Sequence, residues 1–205
     1  MRTCPSCKTQ PVGLTSTGKQ LDYCEACQSK RTKEKYRRSK ALAVSYKGGA
    51  CETCGYNKCQ AALCLPMQDG LPYMGKINLS FGSEQLTSKL KSQLDERQLI
   101  CMICERVKRS KPSNKAKLKF ALAGLKGGCC ERCGLEVSAN NVAGFDFHHE
   151  LEDSSEGQKG RAAVSKKLQI GDRVPSDKNV SLLWSEAERC ELLCANCHAE
   201  EHFGS

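Results

Sequence analysis

Twelve of the sixteen cysteines in this 205-residue chain stand as six Cys-x-x-Cys pairs: Cys4/Cys7, Cys24/Cys27, Cys51/Cys54, Cys101/Cys104, Cys130/Cys133 and Cys194/Cys197. Two thiolates at that spacing can take two corners of a tetrahedral zinc site, and a second pair closes it. Six pairs therefore predict three structural zinc sites, each clamping a module too small to be held by its apolar core alone. Disulfides are the competing use of so many cysteines. No apolar leader follows Met1 and the composition is rich in lysine, so the expectation is a cytoplasmic protein whose thiols stay reduced. Cys59, Cys64, Cys129 and Cys190 are expected as core thiols. No run of eighteen apolar residues occurs, and no membrane span is expected.

The net charge of +9 is unevenly spread. Residues 1–40 carry +7, residues 41–116 carry +5 and residues 117–205 carry −3. Two basic parts preceding a carboxylate-rich one suit a protein that acts on nucleic acid, although charge alone is equally compatible with a soluble surface. The first module, 1–40, reads as a zinc ribbon: Cys4-Pro-Ser-Cys7, an excursion turned by Gly13 and Gly18, then Cys24-Glu-Ala-Cys27. Residues 28–40 follow as a basic helix whose Lys30, Arg31, Lys33, Lys35, Arg37, Arg38 and Lys40 face a single acid, Glu34. These side chains are candidate phosphate contacts.

An internal repeat organises the remainder. Tyr46-Lys-Gly-Gly-Ala-Cys-Glu-Thr-Cys-Gly55 matches Leu125-Lys-Gly-Gly-Cys-Cys-Glu-Arg-Cys-Gly134 at seven of ten positions, offset by 79. The closing pairs, Leu99-Ile-Cys-Met-Ile-Cys104 and Leu192-Leu-Cys-Ala-Asn-Cys197, are offset by 93. The chain thus holds a duplicated zinc-clamped module: residues 41–110, a basic linker 111–118, and residues 119–205. Arg106, Lys108, Arg109 and Lys111 belong to an acid-free stretch around the linker and are further candidates for the DNA backbone. In the first copy, residues 83–100 read as a helix with Leu86, Leu90 and Leu94 on its core face.

All four histidines lie in the second copy, within Phe145-Asp-Phe-His-His149 and Leu192-Leu-Cys-Ala-Asn-Cys-His-Ala-Glu-Glu-His202. The aromatic alternation of the first segment predicts a short strand. The second reads as a turn into a helix, with His202 one turn after His198. At these residues the sequence resembles the HNH endonucleases, in particular a phage-type subgroup that carries an N-terminal zinc ribbon. The resemblance is strong over 119–205 and decayed over 40–109. It implies an α+β architecture of small zinc-stabilised modules: a ribbon, a degenerate ββα-metal module and a catalytic one. It further implies metal-dependent nicking or cleavage of DNA, with His149 as general base and His148 and His198 holding a catalytic Mg²⁺ or Mn²⁺ beside three structural zinc ions. The setting would be a bacterial or phage-infected cell. Whether the chain acts as a monomer or a dimer stays open.

Two departures from the family pattern stand out. The middle asparagine has no assigned place: Arg189 falls near its usual position, and Asn179 and Asn196 are the alternatives. Residues 150–174 are longer than the usual connection. Asp146 shares a strand face with His148 and is either a partner of the metal ligands or a surface carboxylate. His202 reads as a phosphate contact or a helix-capping residue. The competing use of the four histidines is a fourth zinc site of His148, His149, His198 and His202, or core packing; adjacent histidines on a strand diverge and argue against the shared zinc.

Aligning the cysteine pairs places Pro66 and Met67 at His148 and His149, Glu105 at His198 and Arg109 at His202. The first copy kept the clamp and lost the chemistry. It is expected to bind DNA or to stand in for a second subunit. The competing function for the chain is a non-catalytic zinc-dependent DNA-binding protein, and the histidines of the second copy discriminate against it.

Overall fold

The computed structural model describes residues 2–14, 17–18, 20–69, 77, 85–149, 183–185 and 187–203. The 150–174 connection and Asn179 lie outside them. The chain divides into two units, Met1–Gly49 with Met67–Gln98, and Ala50–Pro66 with Leu99–Ser205.

In the first unit the Cys4-to-Cys7 segment is a tight turn. The Lys8 amide donates to Cys4 O and the Cys4 amide to Gln10 O, each at 2.8 Å. Isolated bridges join Thr3 to Pro11 and Leu14 to Gln20. Cys4, Val12 and Cys24 are buried, with Tyr23, Cys7 and Cys27 packed against them. Helix α1 (Glu25–Tyr46) leaves directly from Cys24 and buries only Ser39, Ala43 and Val44. It is polar almost all round, which tertiary packing alone does not explain. Helix α2 (Ser88–Asp95) is shorter than the 83–100 expected: Thr87 caps it by accepting from the Leu90 amide at 3.3 Å. Leu90 and Leu94 are buried as expected, whereas Leu86 precedes the helix. Ile100 belongs instead to a strand, because its backbone is paired with Cys64.

The second unit contains the second copy of the repeat and, from the first copy, residues 50–66 and 99–110. In the first, strands β1 (Leu63–Cys64) and β2 (Ile100–Cys101) pair antiparallel, and helix α3 (Met102–Arg109) follows at once. In the second, after helix α4 (Asn114–Leu125), β3 (Phe145–His149) pairs antiparallel with β4 (Cys190–Cys194) and runs into α5 (Ala195–Phe203). Residues 192–194 are therefore strand rather than turn. The registers correspond, since Leu63 faces Cys101 as Phe145 faces Cys194.

The duplication holds bond by bond. The Cys51 and Cys130 amides donate to Tyr56 O and Leu135 O, both at 2.8 Å. The Leu99 and Leu192 amides donate to the Glu52 and Glu131 carboxylates at 3.0 and 2.9 Å. Gly55 and Gly134 adopt φ of 75° and 72°, which an L side chain resists, and this requires glycine at the end of each Cys-x-x-Cys-Gly turn. Phe145, Leu192, Leu193 and Ala123 make the core of the second copy together with Cys130, Cys194 and Cys197.

Three groups of four cysteines result: 4/7/24/27, 51/54/101/104 and 130/133/194/197. Sulfur separations are 3.7 Å (Cys7–Cys24), 3.7 Å (Cys54–Cys101) and 3.8 Å (Cys133–Cys194), and they suit a zinc tetrahedron better than a disulfide. A tetrahedron with Zn–S of about 2.3 Å has an edge of about 3.8 Å, whereas a disulfide brings its sulfurs to about 2.05 Å. Amides of Cys194 and Cys197 point at the Cys130 and Cys194 sulfurs at 3.2 and 3.4 Å. Burial pushes the Cys194 thiol up to about 12, and burial with the neighbouring Cys194 sulfur drives Cys197 well above its ordinary value. Such a group becomes four thiolates only around a cation, so metal entry must expel protons. Zinc fits all three.

Dialysed chain is expected to retain three zinc ions by elemental analysis, and zinc added to the reduced apo chain is expected to release protons measurable with an indicator dye. A zinc content of two or fewer would reject the assignment. Phe145→Ala, which empties the centre of the second copy, should cost about 3–5 kcal/mol in a denaturant titration.

Candidate metal centre

Strand β3 and helix α5 meet so that His148, His198 and His202 converge, their ligating atoms all within 4.8 Å of one another. The Cys194/Cys197 turn fixes the start of α5, and the four-residue step from His198 places His202 directly beneath it. The two Nε2 atoms are 3.1 Å apart. Ring centroids lie 5.0, 5.1 and 4.8 Å apart, all edge-on. Three nitrogens at about 2.05 Å from a tetrahedral ion would be separated by about 3.3 Å. The residues fit a metal held on one side by three imidazoles, with the remaining positions open.

Asp146 stands two residues before His148 on β3, and its Oδ2 lies 3.0 Å from His198 Nδ1. With Nδ1 engaged there, the Nε2 lone pair is the one presented to the cluster. The same Oδ2 accepts from Arg106 of α3 at 2.7 Å. Burial works against the Asp146 charge, but the His198 hydrogen bond and the Arg106 and Lys119 cations outweigh it and hold the carboxyl at about 2. Lys119 donates to Phe145 O, and burial lowers its own pKa. An open cleft of about 540 Å³ adjoins the histidines, lined by Glu131, Arg132, Glu191, Glu201 and Leu193 beside His148 and His202. Arg132 is engaged there by Glu201. The lining is thus carboxylate-rich and attracts cations.

The structure brings together His148 and His198 and adds His202, which the sequence places in a metal site only under the competing four-histidine reading. The signal was present as His198-x-x-x-His202, two imidazoles on one helix face. His149 pairs through its backbone with Cys190, and its side chain lies outside what the structure describes. Asn196 is buried and accepts from the Ile103 amide at 3.4 Å. Lys30, Arg31, Lys33, Lys35, Arg37 and Arg38 are exposed along α1, with Lys40 half-buried. Lys108, Arg109 and Lys111 are exposed at the end of α3 and beyond. In the first copy, Glu105 and Arg109, which correspond to His198 and His202, form an i,i+4 ion pair at 2.8 Å.

Neither protein-family models nor curated proteins nor solved structures yield a match to this chain. What stands is a small α+β protein with three four-cysteine clusters of zinc geometry and one three-histidine cluster. Among the described residues no helix is long and apolar enough to cross a membrane.

Imidazole donors suit Zn²⁺, Co²⁺ or Ni²⁺ better than oxygen-seeking Mg²⁺. Titration of Co²⁺ into the chain already holding its three cysteine-site zincs is expected to show one further site. His202→Ala should weaken that site by at least about tenfold while elemental analysis still finds three zinc ions. Unchanged Co²⁺ binding in that variant would remove His202 from the site.

Proposed function

We propose that the chain is a metal-dependent endonuclease of the HNH type that nicks or cleaves DNA. The observation that carries this reading is the convergence of His148, His198 and His202 at the mouth of an acidic cleft. Phosphodiester hydrolysis needs a deprotonated water and a positive counterpart for the developing charge. The divalent ion, when bound, supplies that charge to the phosphate oxygens. The carboxylates of the cleft would repel a nucleic acid backbone by themselves, so cation and substrate enter as one requirement. Asp146 fixes the tautomer of His198 and thereby aims its Nε2.

By the family resemblance His149 is the general base, adjacent on β3 to a metal ligand, and an imidazole titrates in the range that role requires. Of the two ions the resemblance implies, Mn²⁺ suits three imidazoles better than Mg²⁺, and Zn²⁺, Co²⁺ or Ni²⁺ suits them better still. The exposed cations of α1, with Lys108, Arg109 and Lys111, supply backbone contacts that give affinity without reading sequence.

Supercoiled plasmid incubated with wild type and Mn²⁺, Co²⁺ or Mg²⁺ should yield nicked or linear product, abolished by EDTA. His149→Ala should lower the rate by two orders of magnitude or more, within the span that general base catalysis contributes. DNA binding without cleavage in every metal would instead establish the non-catalytic DNA-binding reading.

A further inference from the structure

The two copies pack reciprocally within the second unit. Helix α3 of the first lies on the Val142–Gly144 turn of the second, and α5 of the second lies on the Gln60–Ala62 turn of the first. Gly144 is open to this approach, since a Cβ there would come within 3.0 Å of Ile103 Cγ2. Ile103 and Asn196, which correspond in the repeat, touch each other. In such a pair of near-equivalent modules each contact has a counterpart that can be compared with it.

The counterpart of Arg106 on α5 is Ala199, buried against Cys59 and Ala62 of the first copy. The counterpart of Asp146 is Cys64. A partly buried guanidinium–carboxylate pair therefore exists on one side of the interface, and the other side has a methyl group and a thiol. The side that bears the charge pair is the side that bears the histidines. Partly burying two charges carries a desolvation cost, and apolar packing serves the reciprocal contact.

We infer that Arg106, contributed by the decayed first copy, is a positioning residue for the metal centre of the second. It acts through Asp146 Oδ2, which it shares with His198 Nδ1. Held from the α3 side, the carboxylate has one place to be, and the His198 ring is turned accordingly. The first copy is then a working part of the metal centre in the second. This rests on the three-histidine cluster being a metal site.

The test is a double-mutant cycle on the full chain with its three cysteine-site zincs, reading Co²⁺ affinity at the fourth site by calorimetry. Wild type and His202→Ala check the site itself, and a wild type that binds no fourth ion overturns both that reading and this inference. Given a site, Arg106→Met is expected to weaken Co²⁺ about tenfold, of the order seen when partners of metal-ligating histidines are removed. Arg106→Lys, which keeps the charge and loses the planar fork, should recover only part of it. In an Asp146→Asn background Arg106→Met should change nothing further. Retention of three zincs and of the unfolding midpoint within a few degrees identifies variants that remain folded. Three outcomes overturn the inference with the site intact. They are Arg106→Met binding within twofold of wild type, binding tighter as expected of a merely repelling charge, or losing the same factor in the Asp146→Asn background.

Discussion

The described parts of this chain are arranged around four-cysteine clusters whose geometry suits a tetrahedral metal ion. The strands are two to five residues long, and no sheet has more than two strands among the described residues. Elements of that size are at best marginal on their own. A structural zinc site contributes about 10–16 kcal/mol of binding free energy in small peptides at neutral pH, whereas whole domains are stable by about 5–15 kcal/mol. One clamp is thus comparable with the entire margin of a domain. It would also set geometry: Cys194 ends β4 and Cys197 lies in the first turn of α5, so an ion bound there would also fix where His198 points.

The parts of this design written in short-range spacing were legible in the sequence. The six cysteine pairs, the Lys-Gly-Gly repeat and the aromatic alternation of Phe145 to His149 each encode a local geometry, and each appears where its spacing places it. The alignment that set Pro66 against His148 and Glu105 against His198 rests on cysteine pairs alone, and the strand registers reproduce it. The less legible parts depend on what a side chain meets across the fold. A run of basic residues around Arg106 reads the same whether its members are solvated or paired. Lys108 and Arg109 are exposed while Arg106, on the same helix, is turned into the second copy. His202 was readable as a ligand only if the helix face it shares with His198 also faces β3, and that is a tertiary fact. The 83–100 helix was overextended for a similar reason: the leucine periodicity is real, but the strand demanded by Cys101 claims Ile100.

The reciprocal packing explains how one copy can lack the histidines of the other and still keep its place. The contacts between copies use Ile103, Met102, Ala199 and the Tyr56 hydroxyl, which donates to Glu200. None of these positions is a metal ligand. Substitution at the histidine positions therefore leaves the interface intact, provided the new residues satisfy themselves. Glu105 and Arg109 do so, one turn apart on α3 and paired with each other. Exposed pairs of this kind add little stability, and their merit here is that neither charge is left without a partner. An arrangement in which the packing residues and the histidine positions occupy opposite faces of the same helix lets one copy support the other, which carries the three-histidine cluster. The Arg106–Asp146 pair is the point at which the two faces are joined, because Asp146 touches the supporting copy and a histidine of the cluster through a single oxygen atom.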